Sequence, residues 1–119
     1  MITAIHHIAL IVSSAETVDF YARLGFRESF RRERGRDTVV LMDGPGLRLE
    51  IFVDPGHPPR AEDPENLGLR HFALQVDSLE KTMEELKDTA EFGPIQRDWT
   101  GVRYCCTKDP DGLPIELHE

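Results

Sequence analysis

An α+β fold made of two β-α-β-β-β modules is what this sequence specifies. The pattern His-apolar-Ala-Leu-x-Val occurs as His7-Ile8-Ala9-Leu10-Ile11-Val12 and again as His71-Phe72-Ala73-Leu74-Gln75-Val76. Each copy is followed by a stretch with helical start and stop signals, then by three strand-like runs separated by turn residues. In a chain of 119 residues, such a repeat implies one domain built from two similar halves. Module 1 covers about residues 1–54, a connector about 55–67, and module 2 about 68–119.

In module 1 the opening strand alternates. His7, Ala9 and Ile11 share one face, while Ile8, Leu10 and Val12 form an apolar face for the following helix. That helix spans about residues 13–24, with Ser13-Ser14-Ala15-Glu16 as a capping box and Gly25 as its left-handed end. Strands follow at about 26–33, 37–43 and 47–53, with Asp43-Gly44 turning one hairpin. Pro55, Pro58, Pro59 and Pro64 mark the connector as extended. In module 2, His71, Ala73 and Gln75 face away from Phe72, Leu74 and Val76. Asp77 and Glu80 open a helix to about residue 87, with Leu79, Met83 and Leu86 at core spacing. Strands at about 93–98, 102–107 and 113–118 are separated by Thr100-Gly101 and Asp109-Pro110-Asp111-Gly112.

Charge narrows the function. A net charge of -8 argues against nucleic acid, whose binders need a basic footprint. The cluster Arg31, Arg32, Arg34 and Arg36 is interrupted by Glu33 and reads as a solvated strand face. No apolar run is long enough to span a bilayer, and residues 1–12 lack a basic start and cleavage site. A cytoplasmic protein without a membrane partner is expected. Cys105 and Cys106 are neighbours in a strand, pointing to opposite faces, and are expected to be half-buried thiols. They offer no thiolate zinc site.

Four residues carry the chemistry. The last strand of each half is aliphatic on one face, with Leu49, Ile51 and Val53 in one and Ile115 and Leu117 in the other. Glu50 and Glu116 lie on the opposite faces, where a carboxylate among aliphatic neighbours needs a positive partner. His7 precedes Glu50 by 43 residues and His71 precedes Glu116 by 45. Two imidazoles and two carboxylates placed by a repeat suit one borderline divalent ion and leave its site formally neutral. His6 on the helix side, His57 in the connector and His118 at a frayed end are not expected to join them.

These stretches resemble the vicinal-oxygen-chelate superfamily, which holds glyoxalase I, methylmalonyl-CoA epimerase, extradiol dioxygenases and the fosfomycin and bleomycin resistance proteins. The likeness spans nearly the whole chain. It is carried by His6-His7-Ile8-Ala9-Leu10, Phe20-Tyr21-Ala22-Arg23-Leu24-Gly25-Phe26 and Leu47-Arg48-Leu49-Glu50-Ile51-Phe52. Gly68-Leu69-Arg70-His71-Phe72-Ala73-Leu74-Gln75-Val76-Asp77 and Asp109-Pro110-Asp111-Gly112-Leu113-Pro114-Ile115-Glu116-Leu117 complete it. The resemblance is to a small glyoxalase-I-like subgroup without an assigned substrate. It implies sheets that curl around a metal cleft, ligand roles for His7, Glu50, His71 and Glu116, and a homodimer.

Coordination counting selects among the relatives. Four protein donors on a six-coordinate ion leave two positions, whereas an extradiol dioxygenase needs three and uses two histidines with one carboxylate. Methylmalonyl-CoA epimerase carries glutamine where Glu50 stands. The resemblance therefore implies a glyoxalase-I-like lyase or isomerase acting on a small hydroxy-carbonyl or hemithioacetal through an enediolate. One nickel, zinc, cobalt or manganese ion would serve it. Glu116 is the leading base and Glu50 the second candidate. Residues 52–55 run into the connector without recognisable glutathione contacts, which counts against glutathione as co-substrate. Arg48, on Glu50's face, and Arg103, in the strand before Glu116's, are candidates for a substrate anion. A metal-dependent small-molecule binder or resistance protein, or another activity of the superfamily, is the alternative.

Overall fold

The computed structural model describes residues 1–119, which divide into two compact units, Met1–Pro58 and Pro59–Glu119. The first unit contains β1 (Ile8–Val12), α1 (Ala15–Arg23), β2 (Arg27–Glu33), β3 (Thr38–Gly44) and β4 (Leu47–Val53). The second contains β5 (Phe72–Gln75), α2 (Leu79–Glu85), β6 (Gln96–Arg97), β7 (Arg103–Lys108) and β8 (Pro114–His118). Both have the β-α-β-β-β order expected from the repeat.

Each unit forms one four-stranded mixed sheet, in the order β1-β4-β3-β2 or β5-β8-β7-β6. The opening strand pairs parallel to the closing strand, and the remaining pairs are antiparallel. The registers of the two parallel pairs correspond. Ile8 faces Leu49 and Ala9 faces Glu50 in the first, while Phe72 faces Ile115 and Ala73 faces Glu116 in the second.

Alternation decides which face is buried. In the first unit Leu10, Val12, Val40, Met42, Leu49 and Ile51 are buried, together with Val18, Phe20 and Tyr21 from α1. Ala9 and Ile11, one residue out of phase, are exposed. In the second unit Phe72, Leu79, Leu86, Cys105, Leu113, Ile115 and Leu117 make the core. Met83 is only half-buried, and α2 stops at Glu85. No helix is long and apolar enough to cross a membrane.

Several boundaries differ from expectation for local reasons. The N-cap of α1 is Ser14 rather than Ser13, and its side chain accepts from the Glu16 amide at 3.2 Å. The N-cap of α2 is Ser78 rather than Asp77, accepting from the Lys81 amide at 3.3 Å. The α2 start is reinforced by Glu119, whose Oε1 accepts from the Leu79 amide at 3.0 Å. An acidic group at that end also suits the exposed amides of a first helical turn. Gly25 has the positive φ of 108° that ends α1 as expected.

The β3–β4 turn is made by Pro45-Gly46, and Gly44 stays in the ladder opposite Leu47. The strand expected at 93–98 shortens to Gln96–Arg97. Pro94 has no amide for a ladder, although the Gly93 amide still donates to the Cys106 carbonyl at 2.9 Å. All of β2 is exposed, with Arg31 paired to Glu28 and Arg34 to Asp37. That is the solvated strand face the sequence suggested, and the ion pairs add to it.

Of the glycines, Gly44 lies closest to a core side chain. A Cβ there would stand 2.5 Å from the Phe26 ring, and Phe26 is itself buried. Gly44→Ala is expected to lower stability by about 1–3 kcal/mol, the usual cost of overfilling a packed core. Urea unfolding monitored by circular dichroism measures it, with an unchanged midpoint as the contrary result.

Candidate metal centre

In the first unit the parallel register puts Glu50 beside Ala9, two residues after His7. Alternation gives His7, Ala9 and Glu50 a common face, opposite the buried aliphatic one. Glu50 is half-buried and paired on its other side with Leu41. His7 lies just before β1 and is exposed, and its Nδ1 is 2.8 Å from the Nδ1 of His6 with the rings edge to face. His6, exposed, therefore touches the first candidate ligand.

Arg48 and Phe52 flank Glu50 on the same face. Arg48 Nε donates to Asp43 Oδ1 at 2.6 Å, which holds the Asp43 carboxyl below its usual range. Arg34 lies over the Phe52 ring at 5.4 Å. Its pKa is raised first by the Asp37 hydrogen bond and, after that, by the charges of Asp37 and Glu50.

In the second unit the equivalent pair is in contact. His71 Nε2 lies 3.3 Å from Glu116 Oε2, and both residues are half-buried. Two donors bound at right angles about 2.1 Å from one ion stand about 3 Å apart, so this spacing suits a shared cation. An imidazole nitrogen and a carboxylate oxygen also match the donor chemistry of a borderline divalent ion.

A further residue joins Glu116. The sequence reading left His118 at a frayed end, yet it is the last residue of β8, half-buried and on Glu116's face. Its Nε2 donates to Glu116 Oε2 at 2.8 Å, and its Nδ1 lies 3.3 Å from Asp98 Oδ2. The ring stacks on Tyr104 with centroids 5.0 Å apart and planes 15° from parallel. The signal was available, since residues two apart in a strand share a face.

Asp98 is fixed by its turn. Its Oδ1 accepts from the amides of Thr100 (2.8 Å) and Val102 (3.0 Å) and from the Thr100 hydroxyl (2.8 Å). The Thr100 hydroxyl bond leads the causes that hold the Asp98 carboxyl below its usual range. The strand ahead of Glu116 is anchored similarly: buried Asp109 accepts through Oδ1 from the amides of Asp111 (2.9 Å) and Leu113 (3.0 Å).

Arg103, the other arginine considered for a substrate anion, is on the opposite face from Glu116. Its guanidinium donates to Glu119 at 3.1 Å and to Glu80, tying β7 to the start of α2. Each unit by itself supplies two members of the quartet. No group of three or more His, Cys, Asp or Glu side chains is arranged to hold a metal ion, so the structure pairs His71 with Glu116 but brings no third candidate ligand to them.

Residues 4–117 match the Glyoxalase/Bleomycin resistance protein/Dioxygenase superfamily. The chain is 41% identical over 126 residues to the uncharacterized protein YwkD of Bacillus subtilis, covering 100% of this chain and 98% of that protein. The glyoxalase family protein from Enterococcus faecalis superposes with a TM-score of 0.90 at 34% identity, over 98% of both chains. A mutant of the fosfomycin resistance protein FosX from Listeria monocytogenes, in complex with Mn(II) and 1S,2S-dihydroxypropylphosphonic acid, has the same fold. Its TM-score is 0.78 at 22% identity, over 99% of this chain and 92% of that one.

Cys105 is buried on the helix side, while Cys106 is half-buried and pairs with Glu116 across the ladder. Burial raises the Cys106 thiol above its usual range, and the Glu116 carboxylate adds to the rise. Alkylation of Cys106 at neutral pH, followed by mass spectrometry, is expected to run slower than for a free thiol. It is expected to quicken in Glu116→Gln. Equal rates in the two proteins would contradict the assigned effect of that charge.

Proposed function

The chain belongs to the Glyoxalase/Bleomycin resistance protein/Dioxygenase superfamily, and from that premise we propose a divalent-metal enzyme that moves a proton between adjacent carbons of a small hydroxy-carbonyl or hemithioacetal. The chemistry is of the glyoxalase I type. One observation carries the reading: the matched registers that set Glu50 beside Ala9 and Glu116 beside Ala73, two residues after a histidine in each case. The same two donors thus recur at the same place in two sheets of the same topology. The 3.3 Å approach of His71 to Glu116 supports it.

In this reading His7, Glu50, His71 and Glu116 would hold one ion of nickel, zinc, cobalt or manganese. When bound, the ion supplies Lewis acidity that polarises a substrate carbonyl and makes the neighbouring C–H more acidic. Glu116 takes the proton from one carbon and returns it to the next, through the carboxylate oxygen that His71 and His118 address. Glu50 would serve as a ligand and is the second candidate base. Arg48, on Glu50's face and bonded to Asp43, is the candidate to meet an anionic substituent of the substrate.

The experiment begins with elemental analysis of the purified protein. It continues with chelation, reloading with each of the four ions, and an assay with methylglyoxal and a panel of thiols. Chelation is expected to abolish turnover, and one ion to restore it. Glu116→Gln is expected to retain the ion and lose about 10²–10⁴ in kcat, the usual worth of a positioned proton carrier. Turnover by Glu116→Gln at the wild-type rate would remove Glu116 from that role. Tight binding of the small molecule without product would assign the chain to the binders of the superfamily instead.

A further inference from the structure

The two units share a scaffold but differ two residues beyond the glutamate. After Glu50 that position is Phe52, paired with Ile11 on one side and Val39 on the other. After Glu116 it is His118, paired with Gln75 and Tyr104. An apolar trio in one half is replaced by a polar trio at the corresponding place in the other. Nothing in the repeat itself requires this, because Phe52 shows that an apolar ring fits the position.

The polar version forms a chain of contacts with a direction. It starts in the turn, where three donors fix Asp98 Oδ1 and leave Oδ2 facing His118 Nδ1 at 3.3 Å. Stacking on Tyr104 fixes the plane of the imidazole. The Nε2 of that ring then donates to Glu116 Oε2 at 2.8 Å, the oxygen that also lies 3.3 Å from His71 Nε2. A glutamate carboxylate turns about three side-chain bonds, and a hydrogen bond from a clamped ring removes much of that freedom. Groups that hold a ligand in this way commonly change metal affinity by about 10–100-fold when removed.

We propose that His118 is a positioning residue that orients the Glu116 carboxylate, with Asp98 and Tyr104 fixing the imidazole from behind. The role rests on the metal reading of the preceding section and concerns only the second-unit carboxylate; Glu50 has no equivalent.

The test is Co(II) titration of metal-free wild type, His118→Phe and His118→Gln, read by affinity and by the visible absorption of the bound ion. His118→Phe installs the residue of the first unit, keeps a ring against Tyr104 and deletes the donor. It is expected to weaken Co(II) binding by about 10–100-fold and to alter the spectrum, with the thermal midpoint little changed. His118→Gln restores a donor near the Nε2 position and is expected to recover most of the loss. Asp98→Asn keeps an oxygen for the turn's donors while loosening the hold on His118 Nδ1. Its smaller shift in the same direction keeps the proposal testable if His118→Phe folds poorly. Wild-type affinity and spectrum in His118→Phe, or equal losses in the Phe and Gln variants, would overturn the role and leave the metal reading intact. A wild type that takes up no Co(II) would overturn both.

Discussion

The parallel pairing of the first and last strands in each unit is the constraint on which the rest depends. It brings His7 and Glu50, and His71 and Glu116, onto common faces of adjacent strands although more than forty residues separate each pair. A parallel pair cannot be closed by a tight turn and needs a long crossover. Here one helix and two antiparallel strands supply it. A slip of one residue would flip every side chain of a strand to the other face. It would carry the glutamate into the core and bring Leu49 and Ile51, or Ile115 and Leu117, to the chemical face. The buried aliphatic face thereby determines where the acidic residue stands.

Division into faces also explains why adjacent residues have unrelated roles. Arg103 and Tyr104 are sequence neighbours, yet Arg103 joins Glu80 and Glu119 at the start of α2, while Tyr104 stacks on His118. Cys105 is in the core and Cys106 sits opposite Glu116. One face is governed by burial of aliphatic groups and by helix attachment, the other by hydrogen bonds among titratable groups. Glu116 is tolerated mid-strand on the second because it remains half-exposed and finds imidazole partners.

Much of this was legible in the sequence because period-two alternation and an internal repeat are strong signals. The parity of His7, Glu50, His71 and Glu116 could be read without knowing the strand order. Positions where two neighbouring residues compete for one role were harder. Ser13 and Ser14 can both cap a helix, as can Asp77 and Ser78, and in each case the later residue does so. Asp43-Gly44 and Pro45-Gly46 are both turn-forming pairs. The second prevails while Gly44 remains in the ladder against the Phe26 ring, a tertiary contact that local sequence does not reveal. His118 was set aside because it lies near the chain end. Pairing of β8 with both β5 and β7, and the Glu119 amide bonding to the Arg103 carbonyl at 3.1 Å, hold that end in the sheet. Similarly, Arg103 could not be distinguished from Arg48 as a substrate contact until its acidic partners on the helix side were located.

A repeated module creates two equivalent carboxylates, but proton transfer needs them to be unequal. One must remain a fixed donor while the other alternates between holding charge and accepting a proton. The first unit pairs Glu50 with Leu41 and Ala9 and flanks it with Phe52 and Arg48, and its charge acts on Arg34. The second surrounds Glu116 with His71, His118 and Cys106, and extends this polar neighbourhood through Asp98 to a hydrogen-bonded turn. The inequality arises from side chains placed on a common backbone pattern, with no change in strand order or register. Duplication accounts for the matched registers of the two carboxylates, and a histidine in place of a phenylalanine two residues past the acid is one of the differences that separate their surroundings.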